Sequence, residues 1–308
     1  MKQHPPASVL CFGEVLWDIL PDGMKPGGAP MNVAYHLHRN GIESDLITKV
    51  GADALGDKLL TELASSDLPT ARCQRDQSRP TGTVVAKMDA DQEMSYEIVA
   101  PVAWDFIAWE DGYRAAAAAA DAVVFGSLVM RSGVSRRTLE KLLDAARYRV
   151  FDVNLRAPHY SREDIFSALG KTELLKLNQH ELGVITAWTG KEPSADEAGN
   201  VARLREKFPV KGVIVTRGKD GATFYEGSQR YHHPAYRVRV ADTVGAGDAF
   251  LAAFLAARFR GLDIPACLEA ASVLGAFVAT RKGACPEYHP REGLAFLTPE
   301  DLTAFLTR

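Results

Sequence analysis

Five short stretches of the chain are apolar almost without interruption: 9–12, 123–125, 150–153, 174–177 and 213–216. Between the last four lie segments of helical length, around 135–147, near 162–169 and again ahead of 213. Strands buried on both faces that alternate with helices predict an α/β fold with a mostly parallel sheet covered on both sides. The first strand ends at Gly13-Glu14, and 15–20 continue in extended character until Pro21-Asp22-Gly23 breaks the run. A helix is expected over 30–40, with Pro30 suited to a first helical position and Asn40-Gly41 closing it. Residues 45–50 read as a second strand and 55–64 as a helix.

Two segments depart from this rhythm. Residues 83–88 and 94–99 read as a hairpin around Asp89-Ala90-Asp91-Gln92. Their mixed faces suit an antiparallel pair with one side toward water, outside the main sheet. A late antiparallel addition is expected from 222–226 and 231–240, followed by helices over 249–260 and 265–281. The alanine tract 115–120 reads as a high-propensity helix before a strand. No internal repeat and no polar linker divides the chain, so one domain over 1–308 is expected.

The apolar run 251–259 is opened by Asp242-Thr243-Val244-Gly245-Ala246-Gly247-Asp248-Ala249-Phe250. Two closely spaced glycines before a helix let backbone N–H groups converge on an anion, and the positive end of the helix dipole adds to the attraction. Asp248 sets a carboxylate inside that turn. It fits two readings: a first-turn acid that caps the helix, or a base that takes a proton from a hydroxyl while the amides hold a transferring phosphate. The helix dipole is expected to keep it ionised.

Composition narrows the field. A net charge of −3 with no run of Lys or Arg argues against nucleic acid as a partner. Cys11, Cys73, Cys267 and Cys285 lack CxxC spacing and read as reduced thiols of a cytosolic protein. The first eight residues hold no apolar core of a signal peptide, and no apolar run reaches membrane-spanning length. A cytoplasmic location without membrane contact is therefore expected.

Ligands of such sheets gather at the carboxyl ends of the strands. Here those ends carry polar groups again and again: Glu14 and later Asp18, then Asp152-Val153-Asn154-Leu155-Arg156, Asn178-Gln179-His180-Glu181, and Thr216-Arg217-Gly218-Lys219-Asp220-Gly221. No GxxxxGK[ST] occurs and no GxGxxG follows the first strand, which disfavours a P-loop protein and a dinucleotide-binding dehydrogenase. No HExxH occurs, and His36, His38, His232 and His233 read as structural or solvated. The repeated strand exits favour the catalytic reading of Asp248.

Together these features resemble the ribokinase/PfkB family of sugar kinases. The resemblance runs over nearly the whole chain, through 13–18, Gly27-Gly28-Ala29-Pro30-Met31-Asn32, the Asn178–Glu181 pair, 216–221 and 242–250. Asn-x-x-Glu alone is a weak signal, whereas five motifs in family order and spacing are a strong one. The resemblance implies a ribokinase-like three-layer sandwich with a small β lid formed by about 15–26 and 81–100. It also implies transfer of the γ-phosphoryl group of ATP to a sugar hydroxyl, with Mg²⁺ bridging the phosphates. Phosphoryl transfer needs positioning and charge neutralisation more than covalent help, and the parts here are of that kind.

Residue by residue, the resemblance makes Asp248 the base and the amides of Gly245, Ala246 and Gly247 the anion hole. Asp18, Gly28 and Asn32 match sugar-contacting positions; Asn178 and Glu181 match the pair that holds the hydration shell of Mg²⁺. Thr216, Gly218 and Gly221 match the nucleotide loop, Arg156 is expected to face phosphate, and adenine to lie against the helix near Ala271. A K⁺ site is implied at Asp242 and Val244, with Val278, Arg281 and Gly283 contributing carbonyls and Glu287 nearby; Asp242 fits equally a residue that leads into the helix. A homodimer through the lid is a further expectation.

Departures point to a branch of the family. Ala29-Pro30 replaces the lysine and glycine of ribokinases proper, and Gly13-Glu14 with 152–156 looks more like the fructokinases. Fructose is thus expected ahead of ribose, tagatose, 2-keto-3-deoxygluconate or a nucleoside. A catalytically silent sugar-binding member is disfavoured by the intact Asp248, Gly245, Gly247 and Asn178–Glu181.

Overall fold

The computed structural model of the chain describes residues 7–20, 23–88, 94–190, 194 and 196–288. Strands β1 (Ser8–Phe12), β2 (Leu16–Leu20) and β3 (Gly23–Gly27) lead into helix α1 (Ala29–Arg39). Then come β4 (Glu43–Gly51), α2 (Ala54–Ser65), β5 (Cys73–Asp76), β6 (Gly82–Met88) and β7 (Met94–Ile98). Helix α3 (Tyr113–Ala119) precedes β8 (Ala122–Gly126), α4 (Gly133–Ala145), β9 (Arg149–Asp152), α5 (Arg162–Leu169) and β10 (Leu174–Asn178). Helices α6 (Gln179–Trp188) and α7 (Glu197–Lys207) separate β10 from β11 (Gly212–Thr216), and β12 (Ala222–Glu226) and β13 (Gln229–His233) lead to α8 (Ala246–Phe259) and α9 (Ile264–Ala279).

Among the described residues, nine strands form one sheet in the order β13-β12-β11-β10-β9-β8-β1-β4-β5. It is parallel from β11 to β5, with β12 and β13 added antiparallel at one edge. Alternation along each strand feeds two separate cores. Val9 and Cys11 of β1 face one core, Leu10 and Phe12 the other; Val124 and Phe125 of β8 divide in the same way. Helices α1, α2, α8 and α9 cover the first face and α3 to α7 the second. Every residue of α8 from Ala249 to Ala257 is buried, because the helix is enclosed by the sheet, α1 and α9.

A second sheet stands apart, in the order β3-β2-β6-β7. The hairpin expected over 83–99 is therefore outside the main sheet, where β2 pairs with it in parallel and β3 forms an edge. Its turn at 89–92, like Pro21 and Asp22, lies outside the described residues. β3 reads Gly-Met-Lys-Pro-Gly and gives no strand signal; its proline is tolerated at an edge. β5, four residues with polar character, is likewise invisible in the hydrophobic pattern. The strand expected over 231–240 runs instead over Gln229–His233, since Pro234 has no N–H to continue the ladder. Two helices, not one, lie between β10 and β11. No described helix is long and apolar enough to cross a membrane.

One buried ion pair ties the base of the small sheet to the large one. The Arg131 guanidinium, behind β8, donates through Nε to Asp105 Oδ1 at 2.7 Å and through Nη2 to Asp105 Oδ2 at 2.9 Å. Nη2 also donates to the Val99 carbonyl just after β7, and the group stacks over Trp104 at 3.9 Å. Both side chains are below one-tenth exposed, at 7% and 3%. Removing one partner strands the other charge, so Arg131→Met should cost about 3–5 kcal/mol in urea denaturation. The double change with Asp105→Asn should cost clearly less; equal losses would mean that the pairing itself contributes nothing.

Candidate active site

The turn that opens α8 is built on Gly245. Its φ of +76° lies in the left-handed region, and a Cβ there would stand 2.5 Å from the Cβ of Ala284. Glycine is thus required twice, by conformation and by the close approach of the loop after α9. The Ala246 amide bonds back to the Thr243 carbonyl at 3.3 Å. The amides of Gly247 and Asp248, one and two positions further into the first turn, precede any helical carbonyl that could accept from them. They are free to face an anion, with the dipole of a fourteen-residue helix behind them.

The Asp248 carboxylate reaches across to α1, where Oδ2 accepts from Asn32 Nδ2 at 2.8 Å. The other end of that amide, Oδ1, accepts from Cys285 Sγ at 3.4 Å. Asn32 sits in the first turn of α1, 4% exposed. Gly28, the residue before that helix, has φ +121°, and a Cβ there would run into the Glu14 carbonyl. Asp18 arrives from β2, so the small sheet contributes a carboxylate to this region.

Burial raises the acids of this region. Asp248 is pushed up to about 6 by desolvation, with Asp152 adding to the rise and Lys176, the Asn32 amide and Arg156 opposing it. The dipole alone would have lowered it; loss of water outweighs the helix end, yet at about 6 the group is still a carboxylate at neutral pH. Asp18 rises to about 6 through burial, opposed by Arg156 and Lys25 and assisted by Asp242. Glu14, 2% exposed, rises to about 7, chiefly through burial; its Oε1 accepts from the Ala29 amide at 3.2 Å. Arg156 is exposed, and its charge opposes the rise of Glu14, Asp18 and Asp248 alike.

On the other side of the turn lies a cavity of about 780 Å³, within the range of small-molecule sites. Thr216, Gly218 and Gly221 line it from the β11–β12 connection, Tyr236, Val238 and Val240 from the segment after β13. Helix α9 contributes Ser272, Gly275, Ala276 and Ala279, spaced as one helical face. Ala271 itself turns into the core, so the wall is formed by its neighbours. The cavity reaches Ala246 and Gly247, in the turn that opens α8. A second hollow of about 570 Å³, lined by Arg131, His159 and Tyr160 among others, shares no residue with the first.

Asn178 and Glu181 form a capping box at the start of α6: Asn178 Oδ1 accepts from the Glu181 amide and Glu181 Oε2 from the Asn178 amide. Glu181 Oε1 accepts from the Leu155 amide, and burial raises this acid too. Each carboxylate oxygen retains a second lone-pair site, which suits holding metal-bound water better than direct ligation. No cluster of three or more His, Cys, Asp or Glu with metal-binding geometry occurs among the described residues. Asp242 clamps two loops, accepting from the Val244 amide through Oδ1 and the Gly283 amide through Oδ2, both at 3.0 Å. The Val278 carbonyl accepts from the Arg281 amide at 2.9 Å, and Glu287 is exposed.

Residue Lys176, to which the motif reading assigns no role, stands within this constellation. Its Nζ donates to Asp152 Oδ2 at 2.7 Å. The available signal is a lysine within an apolar strand. Cys285 lies in no motif at all.

Comparisons with known proteins place the chain in a family and a fold. The profile of the pfkB family carbohydrate kinases matches residues 18–290. A fructokinase of Klebsiella pneumoniae is 33% identical over 295 residues, covering 89% of this chain and 93% of that protein. A nucleoside kinase of Methanothermobacter thermautotrophicus is 31% identical over 261 residues, covering 83% and 79%. A solved Vibrio cholerae fructokinase, bound to fructose, ADP and calcium ion, superposes with a TM-score of 0.78 at 23% identity, over 97% of this chain and 99% of that one. The fold is the ribokinase-like sandwich that the resemblance implied.

The raised acids set a pH dependence. A base with a pKa of about 6 is a carboxylate above that value and loses its proton-accepting form as pH falls through it. The kcat/KM profile should therefore fall on the acid side below about pH 6, more steeply than one proton requires because Asp18 titrates in the same range. A profile flat down to about pH 4.5, near the ordinary carboxylate range, would contradict it.

Proposed function

Because the chain belongs to the pfkB family of carbohydrate kinases, we propose that it transfers the γ-phosphoryl group of ATP to a hydroxyl of fructose. The observation that carries the reading is Asp248, held by Asn32 at the open N-terminus of α8, with a nucleotide-sized cavity on one side and Asp18 on the other. ATP fits the cavity with its adenine against the small-residue face of α9 and its phosphates directed at the amides of Gly247 and Asp248. The sugar fits between Asp18, Gly28 and Asn32, where a carboxylate and an amide take several hydroxyl bonds.

Asp248 accepts the proton of the attacking hydroxyl as the new oxygen–phosphorus bond forms and the bond from phosphorus to the β–γ bridging oxygen breaks. ADP leaves, and the carboxylic acid returns its proton to water. The helix amides meet the charge on the transferring group, each preorganised donor worth about 2.7–4 kcal/mol. Asn178 and Glu181 would hold the waters of a magnesium ion bound with the nucleotide, an ion that would supply neutralisation of phosphate charge.

Fructose is favoured by the fructokinase relative and by Ala29-Pro30 and the 152–156 motif. The nucleoside kinase relative keeps a nucleoside acceptor as the second reading. Measuring ADP release with fructose, ribose, tagatose, 2-keto-3-deoxygluconate and adenosine separates them, and repeating the best substrate with and without K⁺ tests activation through the Asp242 loop. Fructose should give the highest kcat/KM, and Asp18→Ala should raise its KM strongly, since charge-assisted bonds contribute about 1.5–3 kcal/mol. A preferred adenosine, or an unchanged sugar KM in Asp18→Ala, would move the acceptor pocket elsewhere.

The base is tested at fixed shape. Asp248→Asn should fold, bind both substrates and lose kcat by about 100-fold or more. A helix cap would tolerate the change, because Asn and Asp cap about equally. Near-normal turnover would leave Asp248 a structural residue.

A further inference from the structure

Strand β10 breaks the apolar rule of its sheet. It reads Leu-Leu-Lys-Leu-Asn, and alternation puts Lys176 on the same face as Leu174, the face covered by α1, α8 and α9. Lys176 is 7% exposed. Its register partner on the neighbouring parallel strand β9 is Asp152, 3% exposed, and the two are bonded at 2.7 Å. The same ammonium reaches the underside of the catalytic turn: a Cβ on Gly247 would lie 3.3 Å from Lys176 Nζ. A buried ion pair is a weak stabiliser, often matched or bettered by apolar residues of similar volume. Stability therefore gives little reason for a lysine and an aspartate side by side beneath an enzyme's anion hole.

We propose that Lys176 and Asp152 are positioning residues for phosphoryl transfer: the ammonium, held by Asp152 under the first turn of α8, is the fixed counter-charge that keeps Asp248 a carboxylate. The proposal rests on Asp248 being the base. Its surroundings are Glu14 from the end of β1, the neutral Asn32 from α1, Asp152 and Arg156 from β9 and its exit, Lys176 from β10, and Cys285 from the loop after α9. Two of these are cations. Arg156 is exposed and screened by water and salt, whereas Lys176 is dry and cannot turn away. Burial acts to lower Lys176, but Asp152, Asp248 and Glu181 outweigh it and hold the amine above its ordinary value, so it stays charged at every pH of interest. Asp152 pushes Asp248 toward its acid form and Lys176 opposes that push.

Opposite charges predict opposite shifts, which a mere packing role would not. The experiment is the pH profile of kcat/KM for the best sugar, on the full chain, in Lys176→Met, Asp152→Asn and the double variant. Lys176→Met should move the acid limb up by about one pH unit or more, Asp152→Asn should move it down, and the double variant should bring it back toward the parent. If Lys176→Met does not fold, Asp152→Asn and the charge-free double variant still give the downward shift and its reversal. Limbs that stay in place, or move the same way in both single variants, overturn the proposal. So does a Lys176→Met enzyme with kcat lost at every pH and its limb unmoved, the mark of a direct phosphate ligand. Asp248→Asn, run alongside, separates the two failures: if it keeps kcat, the base reading itself has fallen.

Discussion

A base for phosphoryl transfer must stay ionised in a place from which water has been largely removed, and the whole site answers to that constraint. Unit charges about 4 Å apart at an effective dielectric of about 20 interact by about 4 kcal/mol, so acids gathered in one hollow oppose each other's ionisation strongly. Glu14 after β1, Asp152 of β9 and Asp248 of α8 act on one another in this way, and Asp18 of β2 is raised beside Asp242. The structure meets the repulsion with one buried lysine, one exposed arginine and an amide, each from a different element. The result is a carboxylate raised only to about 6, available at neutral pH.

Rigidity has a plain source. Asp248 is on the first turn of a helix whose following nine residues are all buried, and the turn before it is wedged by Gly245 against Ala284. The acceptor side is different in kind, because Asp18 stands on a small separate sheet joined to the large one through Arg131 and Asp105. Asp248 is thus fixed in a core while Asp18 is carried by a lighter structure, the small sheet of four strands.

The parallel sheet was legible because strands buried on both faces leave near-continuous apolar runs, as 9–12 and 213–216 do. The anion turn was legible because closely spaced glycines before an apolar helix have few other uses. Edge strands β3 and β5 were hidden, since their ladder bonds impose no hydrophobic pattern on so few residues. Lys176 was hidden for another reason. Its meaning comes from register with Asp152 and from the packing of α8 above it, neither of which is local in sequence. The same holds for Cys285 behind Asn32, and for Ala271, where a shift of one position on a helix separates the core from the cavity wall.

The bond between Asn32 and Asp248 joins residues 216 apart in the chain. Helix α1 is fastened further along as well: His36 bonds Tyr288 at 2.9 Å and the Ala284 carbonyl at 2.9 Å, and Tyr35 bonds the Pro286 carbonyl at 2.9 Å. Helix α1 is therefore made early in synthesis and its partners late, so these contacts are strongly non-local, the kind that slows folding. The parallel strands through β11 all precede α8 in the chain, and α8 then covers one of their faces. A chain that ended before α8 would lack the glycine turn, the α9 wall of the cavity and the cover of one face of the sheet together, so the site and that core are completed by the same late segment.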